Sequence, residues 1–185
     1  MLRLFLGIAL PGLLRDRIAT VLNGIPEARW IHPADAHITL RFIGEVPEDS
    51  AEELDGQLRV TRFPGGPLTL RGFDTFSTKR GVRALFIPVL PTPALLALHD
   101  KCETVCQQIG LPASRERYHP HVTLARFSPP ATGRVEQVAA ANTDWPGGTF
   151  TPSHLTLFRS HLGRSGPLYE ELAAYPLSPE SGQTG

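Results

Sequence analysis

The tetrapeptide His-x-Thr-Leu occurs twice in this chain, first as His37-Ile38-Thr39-Leu40 and again as His121-Val122-Thr123-Leu124. Each copy sits in a run that alternates like a β-strand, where side chains at i and i+2 leave the same face. Each therefore points an imidazole and a hydroxyl the same way. The surrounding landmarks repeat too. Gly24-Ile25-Pro26 precedes the first histidine as Gly110-Leu111-Pro112 precedes the second, and the interval from Pro26 to His37 nearly matches that from Pro112 to His121. Phe63-Pro64-Gly65-Gly66 and Trp145-Pro146-Gly147-Gly148 follow, with Pro64 almost as far beyond His37 as Pro146 is beyond His121. A chain repeated in this way packs as two lobes about an approximate twofold axis, with equivalent residues facing each other. His37 and His121 are then spatial partners.

The periodicity between the landmarks fills in the plan. Strands are expected over Leu2 to Leu10, Arg29 to Ile31, Ala36 to Ile43 (with Gly44 as its stop) and Pro67 to Phe76. In the second half they are expected over Val82 to Leu90, His121 to Phe127, Thr149 to Arg159 and Leu168 to Leu177. Amphipathic helices are expected from Pro11 to Leu22, Pro47 to Arg59, Pro93 to Ile109 and Val135 to Asn142. The fold class is α+β, with two pseudo-symmetric lobes from repeats at about 1–80 and 81–177 in a single domain, 1–177. Residues 178–185 lack an apolar anchor and read as a mobile tail.

Charge and composition narrow the function. Eighteen basic and eighteen acidic side chains cancel, so any phosphate site is a local cluster of Arg and His. No stretch approaches the ~18 apolar residues that span a bilayer. The opening Met1 to Leu10 run is too short for a signal peptide and reads as a buried strand. Cys102 and Cys106 share the apolar stripe of one helix and read as core thiols, which suits a reducing cytoplasm.

Two imidazoles suit a phosphate ester. With a pKa near ~6.5, one takes a proton from the nucleophile while the other gives one to the leaving oxygen. The hydroxyls of Thr39 and Thr123 are placed to bind non-bridging oxygens, and arginine forks match phosphate geometry. Arg41, two steps beyond Thr39, falls on the histidine face by alternation. Arg126, five after His121, falls formally on the opposite face unless the strand bulges.

These motifs resemble the 2H phosphoesterases, named for paired His-x-Thr/Ser motifs, and within them the bacterial and archaeal RNA 2′,3′-cyclic phosphodiesterases, historically called 2′-5′ RNA ligases. Arg3-Leu4-Phe5, Trp30, His37 through Val46, His119 through Arg126, Leu157-Phe158-Arg159-Ser160 and Gly166 through Glu170 carry the likeness. It implies a bilobal fold with a cleft between two antiparallel sheets, and metal- and cofactor-free opening of a cyclic phosphate on RNA or a nucleotide to a 2′-phosphate. Position by position, it makes His37 the proton donor and His121 the proton acceptor. Thr39, Thr123 and Arg126 become phosphate binders, with Arg126 ahead of Arg41. The 2′-5′ ligation would be the reverse reaction. A monomer without a protein partner is expected. Two rivals stand beside this reading. One is a metallohydrolase built on His119-Pro120-His121 with His37 or His32; the other is a non-catalytic nucleotide- or RNA-binding module.

Overall fold

The computed structural model describes residues 1–131, 133–163 and 166–179. In chain order its elements are β1 (Leu2–Ala9), α1 (Gly12–Ala19), β2 (Arg29–Trp30), a short 3-10 turn (Pro33–Asp35), β3 (His37–Val46), α2 (Glu48–Val60), β4 (Phe63–Pro64), β5 (Leu68–Leu70) and β6 (Asp74–Thr78). The second half supplies β7 (Gly81–Pro88), α3 (Pro93–Gln108), β8 (His121–Ala131), α4 (Arg134–Ala141), β9 (Gly148–Phe150), β10 (His154–Gly163) and β11 (Gly166–Ser178).

The helices start where local chemistry directs. Pro93 occupies the first turn of α3, and the Thr92 hydroxyl accepts from the Leu95 amide at 3.2 Å. Glu48 and Asp49 sit at the positive end of α2. Two expected strands are each divided. The run from Pro67 to Phe76 breaks at Gly72, whose φ of +71° and approach to Thr143 exclude a Cβ, so β5 and β6 join different sheets. The run from Thr149 to Arg159 divides likewise into β9 and β10. Gly44 does not end β3, which bulges and continues to Val46.

The α+β, two-lobed architecture is as expected, but the lobes share one sheet. Its strand order is β4-β11-β10-β1-β3-β8-β7-β6, with β2 attached to β8. The two central strands touch through one pair, Ile38 with Val122, the middle residues of the two motifs. Outward from this junction the order is β1 then β10 on one side and β7 then β6 on the other. Each lobe thus takes strands from the other half of the chain: β10 and β11 extend lobe one beyond β1, with β4 at its edge, and β6 closes lobe two beside β7. The strands β5 and β9 pair with each other, again across the halves.

Helices α2 and α3 pack together, α3 lies against β3, and α4 lies against β6 and β7. Leu4, Leu6, Ile38, Leu85, Val122 and Leu157 lie on the helix-covered side of the sheet and are at most 2% exposed, which leaves the other side for the cleft. Cys102 and Cys106 are buried on α3 as free thiols, and burial pushes Cys106 up to about 11. Ser178, expected in the tail, pairs with Pro64 in β4. Residues 180–185 lie outside the described residues. Among the described residues, no helix is long and apolar enough to cross a membrane.

Candidate active site

The junction of β3 and β8 floors a cleft of about 460 Å³ lined by His37, Thr39, His121, Thr123 and Arg126, with Tyr169 at one side. Ile38 and Val122 are fully buried on the opposite face, so strand alternation turns all four motif side chains into the cleft. The antiparallel pairing of Ile38 with Val122 sets His37 on the Thr123 side and Thr39 on the His121 side.

Both imidazoles are held in the same way. Nδ1 of His37 lies 2.7 Å from the Asp35 carbonyl, and Nδ1 of His121 lies 2.6 Å from the His119 carbonyl. A carbonyl only accepts, so each Nδ1 donates and each Nε2 is left as the atom that exchanges a proton. Aromatic rings fix the ring planes. Phe5 and Tyr169 stand 4.8 and 4.9 Å from His37, and Phe76 and Phe86 stand 4.9 and 5.3 Å from His121. Burial lowers the pKa of His37 to about 4; its carbonyl bond opposes the shift, and the charges of Arg126 and His121 add to it. His121 is also lowered, first by burial and then by the charges of His119 and Arg126, against the His119 carbonyl.

The two arginines part company at a pair of β-bulges. On β3, Thr39 pairs with Gly7 and Arg41 with Leu6, two steps on β3 for one on β1. On β8, Thr123 pairs with Phe86 and Ala125 with Leu85, the same irregularity at the same place. A bulge resets the alternation that follows it. The expectation from alternation is therefore reversed at both residues: Arg126 comes onto the cleft face, and Arg41 turns to the helix side. There Arg41 is 8% exposed, its Nε contacts Glu103 on α3, and its terminal nitrogens donate to the carbonyls of Phe42 and Pro112. Its edge still borders the cleft, but both terminal nitrogens are engaged with those carbonyls. The residue matching Arg126 is Phe42, five beyond its histidine as Arg126 is five beyond His121.

Phe42 and Tyr169 are cleft residues that alternation did not single out. The equal spacing of Phe42 and Arg126 from their histidines was the available signal; Tyr169 arrives from β11, and nothing local marks it. His99 also lines the cleft and stacks on Tyr118 at 3.9 Å. His32 caps the 3-10 turn, accepting from the Ala34 amide. His119 borders the cleft with its ring 6.2 Å from that of His121. Among the described residues, no three His, Cys, Asp or Glu side chains are grouped to hold a metal ion.

Known proteins are similar to this chain over most of its length. A relative from Aeropyrum pernix, named RNA 2′,3′-cyclic phosphodiesterase, is 32% identical and aligns over 86% of this chain and 90% of its own. A second relative of the same name, from Geobacillus stearothermophilus, is 30% identical over 88% of this chain. The chain spans about half of that second relative's length, 52%. The crystal structure of E. coli LigT complexed with 3′-AMP superposes with a TM-score of 0.77 at 26% identity, covering 96% of this chain and 98% of that one. The sequence profile of the 2′-5′ RNA ligase superfamily matches residues 19–164, and the chain belongs to that superfamily.

Proposed function

We propose that the chain opens 2′,3′-cyclic phosphates at RNA or nucleotide ends, without a metal, to leave a 2′-phosphate. The observation that carries the reading is the pair of imidazoles, each with Nδ1 committed to a carbonyl and Nε2 open, on the two central strands of one cleft. Nε2 of His121 takes a proton from water as its oxygen attacks phosphorus. The P–O3′ bond breaks, and Nε2 of His37 delivers a proton to the departing O3′. Thr39 and Thr123 donate to non-bridging oxygens, and the Arg126 guanidinium offsets the charge that builds on the phosphorane. The exposed ring of Phe42 offers a face to the base. Ligation to a 2′-5′ linkage is the same step with a ribose 5′-hydroxyl in place of water: its oxygen bonds to phosphorus, the P–O3′ bond breaks, and O3′ takes the proton. The names of the relatives and the 3′-AMP complex of LigT favour a nucleotide substrate. A monomer working in the cytoplasm fits this reading.

The buried His37 is neutral at neutral pH in the free enzyme, so the anionic phosphodiester must bring its proton in by favouring the imidazolium. The optimum of kcat, which reports the complex, is then expected at higher pH than that of kcat/KM, which reports the free enzyme. Coincident optima would remove the coupling. The direct test is an oligoribonucleotide ending in a 2′,3′-cyclic phosphate, incubated with excess EDTA. Turnover to a 2′-phosphate is expected. Loss of activity with EDTA would favour the metallohydrolase, a 3′-phosphate product would exchange the leaving oxygen, and binding without turnover would favour the non-catalytic module.

A further inference from the structure

Net charge near zero conceals an uneven distribution. Residues 74–134, which hold β6, β7 and β8, carry eight basic side chains against four acidic ones. Helix α2, tied to lobe one through Tyr175 and Asp55 at 2.7 Å, carries Glu48, Asp49, Glu52 and Glu53.

The sheet register shows where three of the basic groups point. Arg29 on β2 pairs directly with Arg126 on β8, and paired residues of an antiparallel ladder share a face. Arg126 faces the cleft, so Arg29 lies on the same face of the sheet, beside the residues that line the cleft. On β7, Ala84 pairs with Arg126, and a register shift lies between Val82 and Ala84. Val82 and Leu85 both belong to the helix-side core, and β7 takes two steps from Val82 to Ala84 for one on β6, so the bulge turns Arg83 and Ala84 to the same side, away from that core. Arg29 and Arg126 thus lie opposite each other on adjacent strands, and Arg83 adjoins Ala84, the partner of Arg126 on the next strand, with neighbouring strands about 4.8 Å apart. The turn from β6 to β7, Lys79-Arg80, closes the same end of lobe two and is exposed. Among the described residues none of these five forms a salt bridge. Arginines this close repel one another, and polyanion binding relieves that repulsion.

We propose that Arg29, Arg83 and the Lys79-Arg80 turn form a track for the RNA backbone leading away from the reacting phosphate. The track rests on the reading of the cleft as a cyclic phosphodiesterase site. A cyclic phosphate is a 3′ terminus, so every other phosphate of the chain lies on its 5′ side and needs one path out. Lobe two offers, along that path, cations that have no salt-bridge partner among the described residues. The preferred substrate class is therefore an oligoribonucleotide rather than a mononucleotide.

The test compares uridine 2′,3′-cyclic phosphate with a hexauridylate ending in the same group, using the wild type, Arg29→Gln/Arg83→Gln and Lys79→Gln/Arg80→Gln. The wild type is expected to favour the hexamer in kcat/KM by tenfold or more at low salt. The first double variant should lose most of that preference while retaining mononucleotide turnover. Its slope of log affinity against log salt should fall by about 1.4, from ~0.7 per lost phosphate contact on a single strand. Equal preference and slope in variants and wild type would overturn the track. So would equal loss on both substrates, which would assign these residues to the reacting centre or the fold. Anisotropy with a labelled hexauridylate ending in a 2′-phosphate reads the track independently of turnover. If the wild type hydrolyses neither cyclic substrate but binds the hexamer more tightly than the variants, the track stands and the cyclic phosphodiesterase reading falls.

Discussion

One step past the bulges, the two lobes present the same rung of the sheet with opposite chemistry. In lobe one the rung is Phe42, Phe5 and Phe158 on β3, β1 and β10, with Phe5 and Phe158 stacked at 4.8 Å and Arg3 lying 5.0 Å over Phe42. In lobe two the matching positions are Arg126, Ala84 and Phe76 on β8, β7 and β6, with Arg29 added from β2. The histidines, threonines, bulges and carbonyl-bound Nδ1 atoms agree on both sides. A symmetric frame thus holds the proton-transfer atoms, and the rung beyond them makes the site directional. Aromatic faces suit a base on lobe one, and cations suit phosphate oxygens on lobe two.

Removing either histidine tests the symmetric part and should have the largest effect. His37→Ala and His121→Ala are each expected to lower kcat by about 10²–10⁴-fold, the usual contribution of a positioned acid or base. Near wild-type kcat in either variant would refute its role. Arg126→Phe gives lobe two the residue of lobe one. A loss of about 10²-fold in kcat/KM is expected, the scale of removing one donor to developing charge. A loss in Phe42→Leu of the same size and in kcat, rather than about tenfold in KM from weaker base stacking, would erase the contrast between the rungs.

Glu103→Gln tests whether Arg41 belongs to the frame. With side-chain exposures of 9% and 16%, this pair is mostly buried, and breaking it should cost about 3 kcal/mol in urea unfolding. A change within about 0.5 kcal/mol, on the order of a surface substitution, would return Arg41 to the cleft.

The smallest effect is expected in the pH dependence of stability. The folded pKa of His37, about 4, lies below the ordinary histidine value of 6.5. Between those values the unfolded chain binds more protons, so stability is complete above 6.5 and falls as pH drops toward 4. The gap corresponds to at most about 3 kcal/mol, less what other titrating groups mask. His37→Gln should flatten the urea midpoint across that window, and an unchanged slope would contradict a buried, neutral His37.

The paired motifs, their landmarks and the strand and helix periods were local patterns, and they were enough to write down the elements and to expect His37 opposite His121. A pattern of i and i+2 is legible because backbone geometry alone enforces it. What lay beyond Thr39 and Thr123 was not legible in this way. Each bulge is a mismatch between two strands, defined only when β3 meets β1 and β8 meets β7. Alternation read along one strand therefore put Arg41 in the cleft and Arg126 outside it, and pairing reversed both. The exchange of β6 and β10 between lobes and the arrival of Tyr169 from β11 depend equally on partners distant in sequence. The residue types and their spacing determined the chemistry that this chain carries. Only the packed sheet decided which of its cations face the substrate, because the face a side chain takes after a bulge belongs to a pair of strands.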